Sequence, residues 1–183
     1  MSLVQKMISA AKLDVALYES VEADQNATTQ AMTVVVISAV CAGLGAIRSG
    51  IMPMIFMIIA ALLGWVIWAF LCYIIGTKML PEPQTQSDLG ELLRTTGFAQ
   101  SPGVFRILAI IPFVGVLINL AVGLWMLVAM FIAVRQALDY KSNMRTLAVV
   151  AIGFVINLVI TTILVTMGVA GGAVAGGLAG MGG

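Results

Sequence analysis

Between Arg48 and Lys78 the chain reads IMPMIFMIIAALLGWVIWAFLCYIIG over residues 51–76 without one charged side chain, and further uncharged runs follow Arg106 and Arg145. A helix rises about 1.5 Å per residue, so roughly 20 apolar residues cross the ~30 Å hydrocarbon core of a bilayer. Several such runs are present. A water-soluble fold of 183 residues could not hide them, since 61% of the chain is hydrophobic and 9% charged, against about 25% charged in soluble domains. The fold class that follows is all-α, a polytopic helical membrane protein built as one bundle.

Five transmembrane helices are expected, at about 31–48, 52–76, 104–118, 120–138 and 146–168. The first two form a hairpin turning near Arg48, Ser49 and Gly50. The run 104–138 is too long for one ordinary span and short for two, and Pro112 with Gly115 marks a turn within IPFVGVLIN. Charge fixes the parity. With five spans and a cytoplasmic N-terminus, Lys6, Lys12, Lys78, Arg94, Arg106, Arg135, Lys141 and Arg145 all lie inside and Arg48 alone outside. Four spans would carry Arg135, Lys141 and Arg145 outward. The expected location is the cell (inner) membrane, multi-pass, with the C-terminus outside.

Residues 1–30 carry six charges spread among apolar residues, unlike the basic start and short apolar core of a signal peptide. Val4, Met7, Ile8, Ala11, Val15 and Tyr18 recur at helical spacing, which predicts an N-terminal amphipathic interfacial helix over 3–22. Its acids outnumber its lysines, so packing against protein is favoured over a polybasic lipid anchor. After the PEP breaker, Asp88 stands three residues before Glu91, a capping-box start for a short helix that Gly97 closes as a left-handed cap. Pro102 then opens the third span. Arg106, one turn in, snorkels to the cytoplasmic interface, pairs with Glu91 or Asp139, or meets an anion or a partner. The tail 169–183 is glycine-rich. Its four-residue glycine rhythm reads as a frayed outer segment, with a helix-packing extension as the alternative.

There is no histidine. That removes imidazole as a metal or haem ligand and as a general base, together with every Ser/His/Asp or Cys/His nucleophile. All eight acids fall outside the spans, which weighs against a proton- or cation-coupled transporter. No catalytic, cofactor-binding or metal-ligating residue is expected, and no nucleic-acid partner follows from a net charge of +1. Cys41 and Cys72 sit at depths differing by about 20 Å, too far apart for a disulfide. Asn119 and Asn157 are candidate interhelical polar residues, with a permeation lining as the sharper reading. Gly97, Phe98, Pro102, Arg106 and Arg94 form the candidate partner contact. The expected partners are membrane lipids and other membrane-protein subunits or a second copy of the chain.

YESVEADQNATTQA before the first span, ELLRTTGFAQSPGVFRILAIIPFVG after the second, and LWMLVAMFIAVRQALDY before the last are similar to prokaryotic members of the Yip domain family, relatives of the eukaryotic Rab-interacting Yip proteins. The resemblance covers about residues 15–165. It implies five membrane helices with a cytoplasmic N-terminus, no catalytic residues, and a link to vesicle traffic and membrane shaping. Gly97, Phe98 and Pro102 echo the family's glycine-aromatic segment, whereas the DLYGP-like stretch of eukaryotic members is missing. The reading is therefore a non-catalytic membrane scaffold, adaptor or accessory subunit. A small transporter or channel and a lipid-handling or membrane-shaping protein are the alternatives.

Overall fold

The computed structural model describes the backbone of residues 1–45, 51–111 and 113–181. The expected turn at Arg48, Ser49 and Gly50 lies outside the described residues, as does Pro112 of the second turn. Helices α1 (Leu3–Ala11), α2 (Val15–Ala23), α3 (Ala27–Gly45), α4 (Ile51–Ile74), α5 (Leu89–Phe98), α6 (Gly115–Ala137) and α7 (Asn143–Met181) account for most of the chain. A π-helical turn, Ile75–Met79, extends α4, and a 3-10 helix, Ser101–Ile110, follows α5.

Four helices among the described residues are long and apolar enough to cross a membrane: Ala27–Gly45, Met54–Met79, Gly115–Ala137 and Asn143–Leu164. The expected third span, 104–118, is not a helix of that kind. Its first part belongs to the ten-residue 3-10 helix, and Gly115 already starts α6. The 3-10 helix nonetheless has a definite course. A Cβ on Gly97 would fall 2.8 Å from that of Ala31, one on Gly103 would strike Ser38, and one on Gly45 would strike the Arg106 carbonyl. Contacts that advance together in both segments make α5 and the 3-10 helix run parallel to α3. The chain then turns back sharply, with Phe113 at φ 69° and fully exposed. A Cβ on Gly115 would lie 2.5 Å from the carbonyl oxygen of Ala109.

The single amphipathic helix expected over 3–22 is two helices. Leu13 adopts φ 64°, which ends α1, and the Asp14 side chain accepts the Ala16 N–H at 3.1 Å to start α2. A capping box of Ser2 and Gln5 opens α1. A second, of Asp88 and Glu91, opens α5. Gly97 does not close α5, which continues through Phe98. Glycine there admits the backbone of α3 instead. The last helix does not stop near 168 but continues to Met181, so the glycine-rich segment is helical and not the frayed tail expected.

The core is concentrated at one end of the bundle. Tyr18, Val21, Leu92, Phe98, Val134, Leu138 and Val149 are fully buried there. The buried side of α5 lies against α2, α3, α4 and α6. The end that carries α1, α2 and the loops 80–88 and 138–142 is called the charged end below. The end where α3 stops and α6 starts is the far end.

Candidate functional site

Polar side chains at the charged end tie separate segments together. Arg94 of α5 is 6% exposed and donates through Nε to the carbonyls of Val21 at 3.1 Å and Glu22 at 3.0 Å, and through a terminal nitrogen to Glu22 again. These are last-turn carbonyls of α2, free of intrahelical partners and at the negative end of its dipole, so a guanidinium is well matched to them. Glu82, between the two prolines of the breaker, accepts the backbone N–H groups of Lys141 at 3.0 Å and Ser142 at 3.1 Å and the Gln84 amide at 2.6 Å. Those donors, Lys141 first, hold its carboxyl below the usual range. The negative charge thus stands at the N-terminus of α7. Tyr140 donates to the carbonyls of Gly76 at 2.9 Å and Leu80 at 2.7 Å. Gln136 reaches Glu19 at 2.9 Å, and Lys6 pairs with Asp24 at 3.7 Å.

The residues assigned to a partner contact are mostly internal. Gly97, Phe98 and Pro102 are buried with Arg94, so a partner reaching them would have to displace the chain's own helices. Arg106 also departs from its expected place. Its backbone lies beside Gly45 at the far end, away from Glu91 and Asp139 at the charged end. Among the described residues its guanidinium makes no ion pair, and its buried Nε has no hydrogen-bond partner.

Arg106 lines a cavity of about 340 Å³ with Trp68, Gln100, Asn119, Gly123 and Phe154 among its walls. Trp68 is 8% exposed and packs edge-on against Phe154, with ring centroids 5.7 Å apart. A Cβ on Gly123 would meet nothing within 4 Å, which marks open space beside α6. An entirely apolar cavity of about 420 Å³ lies next to it and shares Leu127 and Phe154. The second asparagine is placed differently. Asn157 of α7 donates to the Gly64 carbonyl of α4 at 2.6 Å and accepts from Thr161 at 3.2 Å, a contact between helices. Cys41 and Cys72 are free thiols. No group of three metal-ligating side chains forms among the described residues.

Sequence reasoning missed Glu82 and Tyr140. The proline on either side of Glu82 was the available signal, because it fixes the backbone of a loop whose one carboxylate then has a fixed direction. A family model described as the Yip1 domain matches residues 17–180. No curated protein and no solved structure matches the chain.

Proposed function

The chain belongs to the Yip1 domain family, and on that premise we propose that it is a non-catalytic multi-pass membrane protein that acts by binding other proteins, as a scaffold, adaptor or accessory subunit of a larger membrane complex. The observation that carries this reading is the charged end. Arg94, Glu82, Tyr140 and Gln136 each bridge segments far apart in sequence, and Lys6 and Tyr18 tie α1 to α2 and α3, so α1, α2, α5 and the two loops form one fixed polar face. A fixed face is what a docking partner requires, because little ordering entropy is left to lose on association. Lys12, Glu19, Ser20 and Lys141 are exposed on it. The transport reading is weakened by Asn157, whose amide is engaged by Gly64, and by the absence of an acid from the spans.

The finer topology belongs to the same proposal. α5 and the 3-10 helix together form a third crossing, which makes five and places the termini on opposite sides. Their parallel course along α3 supports it. Seven of the nine basic residues then lie at the charged end, with Arg106 at the other, and the positive-inside rule makes the charged end cytoplasmic.

Photo-crosslinking in the native membrane tests the docking face. A crosslinker at Ser20 or Lys141 is expected to give one discrete, near-stoichiometric adduct, and one at Phe113 none. Equal diffuse labelling at all three positions would sink the scaffold reading.

A further inference from the structure

We propose that the groove beside α6, opened by Gly123 and ended by Arg106, is a binding site for one anionic phospholipid from the leaflet at the far end. Two donor groups of the lining stand at the far end of the groove, the Arg106 guanidinium and the Asn119 amide, with the Gln100 amide deeper in the same lining. Arg106 presents a buried nitrogen, Nε, with no partner among the described residues. A buried donor left unpaired costs about 1–3 kcal/mol, and more when charged, so the arrangement calls for an acceptor. The chain has none of opposite charge to offer, because every acid lies in the segments 14–24, 82–91 or at Asp139. A phosphate diester supplies both the charge and the acceptor oxygens, in the geometry a guanidinium binds best.

The remainder of the groove selects for a lipid over a free anion. Leu120 and Leu124 at its mouth are 60% and 58% exposed, on a helix that faces hydrocarbon. Beyond Leu127 and Phe154 the groove continues into the apolar cavity toward the charged end. Arg106 and Asn119 therefore stand near the far-end interface and a mostly apolar lining descends from them, which is the polarity of a phospholipid in that leaflet. Asn119 is only one turn from the start of α6, a depth suited to a headgroup.

The test uses the purified full-length chain in a neutral detergent, titrated separately with phosphatidylglycerol, phosphatidylcholine and inorganic phosphate while thermal melting is followed. Phosphatidylglycerol is expected to bind about tenfold or more tightly than phosphatidylcholine, the scale of one charge-assisted contact, and phosphate alone is expected to leave the melting temperature unmoved. Arg106→Gln should remove the preference between the two lipids. Gly123→Leu should block both lipids while the lipid-free melting temperature stays at the wild-type value. Equal binding of the two lipids to the wild type would overturn the proposal. So would stabilisation by phosphate alone, or wild-type phosphatidylglycerol binding in Gly123→Leu. If Arg106→Gln does not fold, the Gly123→Leu result and the lipid comparison on the wild type decide.

Discussion

Arg94 and Arg106 lie on consecutive helices, and the contrast between them shows what a single residue type cannot reveal. Arg94 is satisfied by the last carbonyls of α2, whereas Arg106 faces a groove without a counter-charge. Replacing Arg94 by Ala leaves buried carbonyls at the end of a helix, and we expect a loss of about 1.5–3 kcal/mol, the range for hydrogen bonds to a charged group. Thermal melting in detergent and protease sensitivity of residues 1–30 would read it, with cleavage there rising before the bundle melts. Lys at this position is expected to rescue only in part, because it lacks the planar fork. Glu22, on the same turn of α2, carries a second expectation. Burial, then the nearby charges of Asp139 and Glu91, push its carboxyl up to about 7 against the opposing pull of Arg94. The folded chain thus keeps a proton that the unfolded chain has already released. Stability is full below the ordinary carboxylate range, falls as pH rises through it to about 7, and is level above. Glu22→Gln should flatten that slope between pH 5 and 7.5 in melting experiments, and an unchanged slope would show that another group carries it. Neither role was legible in the sequence, where Arg94 read as an exposed contact. Its burial depends on α2 and α5 meeting, a tertiary event that no local pattern around residue 94 encodes.

The 3-10 helix explains at the scale of elements both what was legible and what was not. Both capping boxes, Ser2 with Gln5 and Asp88 with Glu91, are short-range chemistry, and the second was readable from spacing alone. Uncharged apolar runs likewise located α3, α4 and α6 to within about five residues at each end and the start of α7, but not its continuation past 168 to Met181. The third element failed because length was converted to distance at the α-helical rise. Between the contacts at Ala31 and Gly45, α3 advances about 21 Å. The nine steps from Gly97 to Arg106 cover about 18 Å of that at the 3-10 rise of about 2.0 Å per residue, against about 13 Å at the α-helical rise. Close approach to α3 holds this segment in place. Gly103→Ala would drive a methyl group into Ser38, so it is expected to destabilise by about 1–3 kcal/mol, as overpacking does. Ser38→Gly in the same chain removes the obstructing side chain and should restore much of the loss. A double-mutant cycle on melting free energies would show this as a coupling well above 0.5 kcal/mol. Simple additivity would mean that the two helices do not meet at this point.

For the molecule as a whole, the number of crossings decides which surfaces a partner or a lipid can reach. If α5 and the 3-10 helix cross together, Phe113 stands on the side opposite to Ser20 and Lys141. If they form only a re-entrant plug, α6 must begin on the same side as α5, so that Phe113 shares the face of Ser20 while Lys141, beyond α6, lies on the other. Single cysteines separate these cases once Cys41 and Cys72, two free thiols within apolar helices, are replaced by Ala. All three positions are exposed, Phe113 completely, so labelling reports the side and not burial. With a membrane-impermeant maleimide added to intact cells, Phe113→Cys is expected to react, and Ser20→Cys and Lys141→Cys only after permeabilisation. A cysteine after Gly183 should follow Phe113, because α7 runs away from the charged end. The charge distribution points the same way, since Lys6, Lys12, Lys78, Arg94, Arg135, Lys141 and Arg145 all belong to the face expected to resist the reagent. Reaction of Ser20→Cys together with Phe113→Cys in sealed cells would reduce the crossings to four and move Arg106 out of the opposite leaflet. The lipid groove would then lose the depth on which its polarity depends.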